Sequence, residues 1–311
     1  MYNGVIIVNK EKGFTSHDVV AKLRGILKQK KIGHTGTLDP DATGVLPVCL
    51  GHATKLCDML TDKDKTYDTV MLLGKVTDTQ DISGQVLEET DVEAMYGKGE
   101  LSEEKILQAI ESFIGDYNQI PPMYSALKVN GKKLYELARE GIEIERKARP
   151  VKILAIENVR IEFPRVYMTV SCSKGTYIRT LCHDIGNKLM CGACMEELKR
   201  TKVSTFTLEN SLTLDEISSL AESEEAVNKQ LTTVEEIFDK YPSISTIEKY
   251  DKLLYNGNSV ALSMLNIDEK LVLEENMRFR MYDSVGTFIG IFYYNKKEKL
   301  IKCDKMFYAA K

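Results

Sequence analysis

Apolar positions along this chain follow two rhythms, one suited to strands and one to helices. Val5–Val8 is an unbroken apolar run, the pattern of a strand buried on both faces. From Ser16 the period lengthens: Val19, Val20, Leu23, Ile26 and Leu27 share one helical face, with Ser16 placed to cap the helix. Residues 33–51, GHTGTLDPDATGVLPVCLG, hold four glycines and two prolines and predict a long structured loop with some extended backbone. Thr66–Leu73 is rich in β-branched and aromatic residues and predicts a strand. Ser102–Ile114 carries Ile106, Leu107, Ile110 and Phe113 at helical spacing. Val151–Phe163 and Val166–Ser171 are strand-like, and Tyr177–Leu189 is helical through Ile178, Leu181, Cys182, Ile185 and Leu189. The intervening segment 120–152 is basic and broken by prolines, tyrosines and the Asn130-Gly131 pair. From about Tyr241 the texture changes to short runs, NSVALSM, VLEE, MRFRMYDSVGTFIGIFYY and KLIKCDK, with a turn at Asp283–Gly286. A main domain over 1–240 followed by a small β-barrel or sheet over 241–311 is therefore expected.

Composition narrows the class. With 311 residues, 43% hydrophobic and 28% charged, the chain is globular and large enough for one big domain and one small. Its longest apolar runs fall far short of the roughly 18 residues a membrane helix needs, and MYNGVIIVNKEKG does not read as a secretion signal. A cytoplasmic protein without membrane contact is expected. Seven cysteines, an odd number, argue against a disulfide framework. The CGAC pair Cys191 and Cys194 supplies half a zinc site at most and reads as small, inert thiols at a turn.

Charge changes the picture more than composition does. The total is −4, yet residues 1–75 carry +3, 76–119 carry −9, 120–205 carry +7, 206–240 carry −7 and 241–311 carry +2. A polyanion senses charge over a Debye length of about 8 Å, so two acidic stretches mask two basic ones. The basic segment 120–152 interleaves Lys128, Lys132, Lys133, Arg139, Arg146, Lys147 and Arg149 with Tyr124 and Tyr135, a composition fit for RNA or phosphate. The acidic stretch 206–240 is expected to cover a face or bridge the domains.

Motifs for NTP hydrolysis (G-x-x-x-x-G-K-S/T), dinucleotide binding (G-x-G-x-x-G), zinc proteolysis (H-E-x-x-H) and an esterase elbow (G-x-S-x-G) are missing, and His17, His34, His52 and His183 are scattered. The distinctive feature is Asp39 in TGTLDPDATG. Pro40 drives Asp39 into extended backbone, and Gly36 and Gly44 let the loop approach a ligand. A carboxylate held there serves as nucleophile or base if an arginine keeps it ionised. Asp-Pro also starts ordinary turns, and Asp41 competes for the role. The second feature is Lys174-Gly175-Thr176-Tyr177-Ile178-Arg179-Thr180 at a strand-to-helix junction, where Arg179 is able to pair with Asp39 or to lie on a solvated helix face.

Three segments together resemble the TruB family of tRNA pseudouridine synthases: NKEKGFTS (9–16), the 33–51 loop with Lys65-Thr66-Tyr67, and GTYIRTL (175–181). The likeness continues through PPMYSALKVNGKKLYELAREG (121–141), LKRTKVSTF (198–206), YNGNSVALS (255–263) and DSVGTFIGI (283–291), so it covers essentially the whole chain. It implies an α+β fold with a mixed, mainly antiparallel central sheet and flanking helices, an RNA-binding insertion at about 120–152, and a PUA-like RNA-binding domain from 241. It makes Asp39 the catalytic aspartate, Arg179 its partner, and Tyr67 the tyrosine that stacks on the base and serves proton transfer. His34 and Tyr177 would line the nucleotide pocket. Lys10 would support the active-site loop, and Lys132, Lys133, Arg146 and Lys147 would meet RNA. Glu11 stands where the family commonly has proline, which bears on local rigidity rather than on the chemistry. The implied activity converts uridine 55 of the tRNA T-loop to pseudouridine without cofactor, metal or guide RNA, as a monomer clamping the T-arm. Two alternatives remain: a guide-dependent enzyme, as in dyskerin-like proteins, and an RNA-binding or RNA-folding protein whose catalysis is incidental.

Overall fold

The computed structural model describes residues 1–129, 131–268 and 271–308; Asn130 of the Asn-Gly pair lies outside them. Its main element is a nine-stranded sheet. Seven strands lie in the order Gly4–Lys10, Thr43–Leu50, Ala193–Val203, Lys65–Leu73, Arg165–Cys172, Arg149–Glu162 and Gly115–Gln119. Ile32–His34 adds to Thr43–Leu50, and Phe206–Thr207 to Ala193–Val203. Neighbours run antiparallel except where Lys199 and Arg200 meet Thr43 and Gly44 in a short parallel ladder. This is the mixed, mainly antiparallel sheet that the resemblance implied.

The unbroken run in Gly4–Lys10 has a packing reason. Ile6 and Val8 join helix Ser16–Ile26 (Val19, Val20, Leu23) in one core, while Val5 and Ile7 point the other way into a second core with Val45, Cys49 and Phe206. A strand covered on both faces has no polar side to alternate with. Farther along the sheet, helices Glu103–Glu111 and Ile178–Lys188 lay Ile106, Ile110, Leu181 and Ile185 against Met71, Val170 and Met168. Each fully buried aliphatic side chain contributes about 1.5–3 kcal/mol.

Several expectations are corrected. The cap of the first helix is Thr15, whose hydroxyl accepts from the Asp18 amide while Asp18 answers the Thr15 amide. Ser16 is instead buried in the first turn and bonds the Leu38 backbone. The 33–51 segment is mostly strand: Thr43–Leu50 is an almost wholly buried central strand, and loop remains only between His34 and Thr43. Its apolar run VLPVCL, buried on both faces, lacks the alternation that would have marked it. Gly44 approaches protein rather than ligand, since a Cβ there would sit 2.2 Å from the Arg200 carbonyl oxygen. VLEE (272–275) forms no strand.

The acidic stretch both covers a face and bridges. Leu212, before the short helices Leu214–Leu220 and Glu224–Lys229, and Thr232, between the latter and Val234–Ile237, exchange backbone hydrogen bonds with Val5, Ile7 and Asn9 at the sheet edge. Phe238 packs on Phe307, and the Tyr282 hydroxyl donates to Glu235 at 2.5 Å. The second sheet runs Val260–Ala261, Leu300–Met306, Phe288–Asn295, Arg278–Tyr282, Ser243–Thr246, Leu265–Asn266 around Phe279, Met281, Phe292 and Ile301. The expected turn is there, closed by Gly286 N–H donating to Asp283 O at 3.2 Å.

Gly44 has φ +102° as well as the Arg200 carbonyl beside it. Gly44→Ala is therefore expected to lower unfolding free energy by about 2 kcal/mol or more, measured by urea denaturation. A change within about 0.5 kcal/mol of the parent would contradict the close approach of the two strands.

Candidate active site

The residues between His34 and Thr43 form an irregular loop on the sheet, and their backbone polar groups must find partners away from water. They find them on buried side chains. Lys10, 1% exposed, donates its Nζ to the carbonyls of Pro40 (3.0 Å), Phe14 (2.6 Å) and Glu11 (3.0 Å). Arg200, also 1% exposed, donates Nε to Val45 O (2.7 Å) and Nη2 to Gly36 O (3.1 Å). Ser16 Oγ accepts from Leu38 N at 2.9 Å. Burial brings Lys10 down to about 8, opposed by the Asp39 charge. Its ammonium joins the loop at Pro40 to the 11–14 turn at Glu11 and Phe14, and Lys10 is not among the residues lining the cleft.

Held this way, Asp39 lines a cleft of about 1510 Å³ together with His34, Arg179, Tyr124, Ser125 and Lys133. Arg179 is 5% exposed, and its Nε lies 3.1 Å from Asp39 Oδ2, with Nη2 3.4 Å from Oδ1, so guanidinium and carboxylate meet side-on. The same guanidinium donates Nη1 to Thr79 O (3.1 Å) and lies 3.5 Å from Asp81 Oδ2. Its Nη2 also donates to Tyr124 O (2.9 Å). Of the two aspartates left open by the residues alone, it is Asp39 that the fold pairs with Arg179; Asp41 lines the cleft without that partner. Burial on the cleft floor pushes the Asp39 carboxyl above the ordinary carboxylate range; Arg179 pulls it back, and Asp81 pushes it up again. The Asp39 side chain is 42% exposed by area, so it is desolvated by the surrounding walls while one side stays open to the cleft.

The other expected residues fall at graded distances. His34 ends the short strand Ile32–His34, and burial lowers its pKa, leaving a neutral imidazole with Nδ1 buried and unpartnered. Tyr67 lies beneath the cleft lining in the core, its hydroxyl beside Arg200, and burial holds its phenol above the usual range. Tyr177 caps the helix that carries Arg179, with its hydroxyl near Ser125. In the 120–152 segment a hairpin of Lys128–Val129 and Lys132–Lys133 leads into helix Leu134–Arg139. Lys133 reaches the cleft with Tyr135 and Arg139. Lys132 instead lies 3.5 Å from Glu140, Arg146 donates to Pro121 O and Glu143, and Lys147 is exposed. Cys191 and Cys194 are buried free thiols, and burial pushes Cys194 up to about 11.

Two contributors were not visible in the sequence reading. Asp81 sits in the polar turn TDTQDISG, where its local bonds to Thr79 and Ser83 suggest a turn and nothing more. Arg200 lies within LKRTKVSTF, and its full burial is invisible among neighbouring lysines.

Comparison with known proteins gives this arrangement its relatives. The TruB family pseudouridylate synthase N-terminal model matches residues 24–178, and the tRNA pseudouridylate synthase B C-terminal model matches 179–239. The division between them falls inside helix Ile178–Lys188 and marks no break in the fold. The chain is 52% identical to the tRNA pseudouridine synthase B of Lachnoclostridium phytofermentans, over 98% of this chain and 99% of that one. It is 45% identical to the protein of that name from Clostridium perfringens strain 13, over 98% of each. Among solved structures it is similar to a Cbf5-Nop10-Gar1 complex (TM-score 0.70, 26% identity, 98% of this chain and 85% of that chain). It is also similar to an archaeal box H/ACA sRNP Nop10-Cbf5 complex (TM-score 0.69, 25% identity, 98% and 86%). A buried arginine set on a loop aspartate, and family models that cover residues 24–239, lead to one conclusion: the chain belongs to the TruB family of pseudouridylate synthases.

Proposed function

We propose that this protein converts uridine 55 in the T-loop of tRNA to pseudouridine, with Asp39 as the acting carboxylate. The observation that carries the reading is the Asp39–Arg179 pair on the floor of a cleft large enough for an extruded nucleotide and its neighbours. Relatives at 52% and 45% identity bear the name tRNA pseudouridine synthase B, which supports tRNA as the substrate. The reaction breaks the bond from ribose C1′ to uracil N1, turns the base, and joins C1′ to C5. C5 loses a proton and N1 gains one, so the atoms balance without a co-substrate. A single carboxylate serves this chemistry, by attack at C1′ or by removing the C2′ proton.

Each neighbour has a physical task. Arg179 holds Asp39 in one orientation and favours its ionised form. Taking the target nucleotide out of its stack costs a few kcal/mol, and stacking on an aromatic ring returns about 1–3 kcal/mol. Tyr67, which lies beneath the cleft lining, is proposed to become that ring when the nucleotide enters and, because its phenol stays protonated, to serve as a proton donor near the base. His34 offers its unpartnered Nδ1 to the extruded nucleotide, and Tyr177 closes the wall beside Ser125. The basic 120–152 segment is proposed to clamp the T-arm, and the 241–311 domain to bind RNA as a PUA-like module. The solved neighbours are assemblies, so a guide-dependent mode is the second reading. The near-complete match to the tRNA pseudouridine synthase B chains favours working without guide or partner, and a monomer in the cytoplasm is proposed with it.

The test is incubation of the purified protein with unmodified tRNA transcript, followed by chemical mapping of pseudouridine. Conversion at position 55 without added RNA or protein is expected; conversion only when a guide is supplied would replace the first reading with the second. Asp39→Asn should lose roughly a thousandfold or more in single-turnover rate while tRNA affinity stays within a few fold. Near-parental turnover would remove Asp39 from the chemistry.

The pH profile has a definite sign. The active form is the carboxylate, so the rate falls as pH drops through the Asp39 pKa, and burial sets that limb above the range of an ordinary carboxylate. Arg179→Met removes the opposing pull and should move the limb to higher pH; a limb that stays or moves down contradicts the electrostatic coupling.

Salt dependence reports on the basic segment. Replacing Lys132, Lys133, Arg146 and Lys147 together should flatten the plot of log affinity against log salt, each phosphate contact contributing a slope of about 0.7–0.9. Single-turnover chemistry at saturating tRNA should change far less; the reverse result would make this segment part of the active site instead of a clamp.

A further inference from the structure

The helix that carries Arg179 begins without a side-chain cap of its own. Tyr177 stands at its N-cap in extended conformation (φ −99°, ψ 109°) with no side-chain capping bond. What holds that residue comes from another element. Gln119 Nε2 donates to Tyr177 O at 2.9 Å, and Tyr177 N donates to Gln119 Oε1 at 2.8 Å. One planar amide thus grips both backbone groups of a residue 58 positions away, and Gln119 is 1% exposed. A pair of opposed hydrogen bonds to one residue fixes its position and its rotation, which a single bond does not.

Gln119 also occupies a junction. It ends strand Gly115–Gln119, where the basic 120–152 segment departs, and its backbone faces Arg149, where that segment returns. Five residues on, Tyr124 O accepts from Arg179 Nη2. The root of the RNA-clamping segment therefore touches the catalytic helix at the backbone of Tyr177 and at the guanidinium of Arg179.

We infer that Gln119 is a positioning residue for the reaction: its amide sets the first turn of the Ile178–Lys188 helix, and through that turn the side-on approach of Arg179 to Asp39. It also ties that approach to the seating of the 120–152 segment at its root. The inference rests on the pseudouridine-forming reading above and adds to it a residue outside every motif that carries the family likeness.

Two substitutions test it in single-turnover assays with unmodified tRNA. Gln119→Leu removes both bonds and should slow the chemical step roughly tenfold to a hundredfold, the cost of a small misplacement of reacting groups, while tRNA affinity stays within about threefold. Gln119→Glu gives a sharper readout. As a neutral acid the introduced carboxyl still donates to Tyr177 O and accepts from Tyr177 N. Once ionised it loses the donor and sets negative charge against a carbonyl. Burial raises the pKa of such a carboxyl, so the variant's rate should fall as pH rises, a descending limb at lower pH than any shown by the parent run beside it.

A Gln119→Glu profile parallel to the parent's overturns the inference, as does loss confined to tRNA affinity. Should Gln119→Leu fail to fold, the Gln119→Glu profile decides alone, since at acid pH that variant keeps both bonds. The parent runs in the same assay: if it makes no pseudouridine the functional reading fails, whereas a converting parent with unaltered Gln119 variants sinks only the role of Gln119.

Discussion

The structure turns on how a short irregular loop is kept rigid on the surface of a sheet. Residues between His34 and Thr43 have no ladder of their own, and an unpaired buried carbonyl costs about 1–3 kcal/mol. Lys10 and Arg200 supply hydrogen-bond donors from beneath, on Pro40 and Gly36, and Ser16 grips Leu38 from the first helix. These buried cations are costly to desolvate unless their donors are used, and Lys10 spends three bonds on carbonyls. The contacts at Pro40 and Gly36 serve the loop and the cations at once, and the remaining bonds tie both cations to Glu11, Phe14 and Val45. Asp39 is displayed on a loop that has little freedom to move, which is the preorganisation that carboxylate chemistry at a ribose requires.

A second guanidinium then works above the loop. Arg179 faces Asp39, Asp81, Thr79 and Tyr124, so the 33–51 segment, the polar turn TDTQDISG and the basic insertion converge on one side chain. Two carboxylates share one cation, and that shapes the chemistry. Asp81 raises the pKa of Asp39 while Arg179 lowers it, and burial exceeds both. A carboxylate stabilised too strongly by its arginine would be a weak base and a weak nucleophile. Burial and Asp81 push the Asp39 carboxyl upward and Arg179 pulls it back, so its basicity is set by the balance of all three.

Much of this was legible along the chain, because helices and strands with clear period declare themselves. Ile178–Lys188 and Glu103–Glu111 lie within the segments their apolar spacing predicts, and Val5–Val8 is a strand buried on both faces. What stayed hidden depended on partners distant in sequence. Thr43–Leu50 was masked by Gly44 and Pro47, though the strand accommodates Pro47 and the Arg200 backbone requires Gly44. Ser16 was expected to cap its own helix, but its hydroxyl serves Leu38, 22 positions away. Asp39, Arg179 and Tyr67 were found through motif likeness, whereas Asp81 and Arg200 act only once strands far apart in sequence are brought side by side. Local propensity carries no information about such pairings.

The separation of charge along the chain acquires a structural sense here. The acidic 206–240 stretch edges the sheet at Val5 and Ile7 and links to the C-terminal sheet through Glu235 and Phe238. Its carboxylates are mostly exposed, and several are bonded locally, Glu216 to the Thr213 amide and Glu236 to the Thr233 amide. The cleft draws its lysines and arginines from other segments, Lys133 and Arg139 from the insertion and Lys199 from the Ala193–Val203 strand. A whole-chain charge of −4 is then no obstacle to a polyanionic substrate, because the repelling and attracting groups belong to different surfaces and screening keeps each local. The cleft still retains carboxylates beyond Asp39, among them Asp68 and Glu197. Carboxylates in the cleft and cationic side chains from the insertion thus set charges of opposite sign side by side.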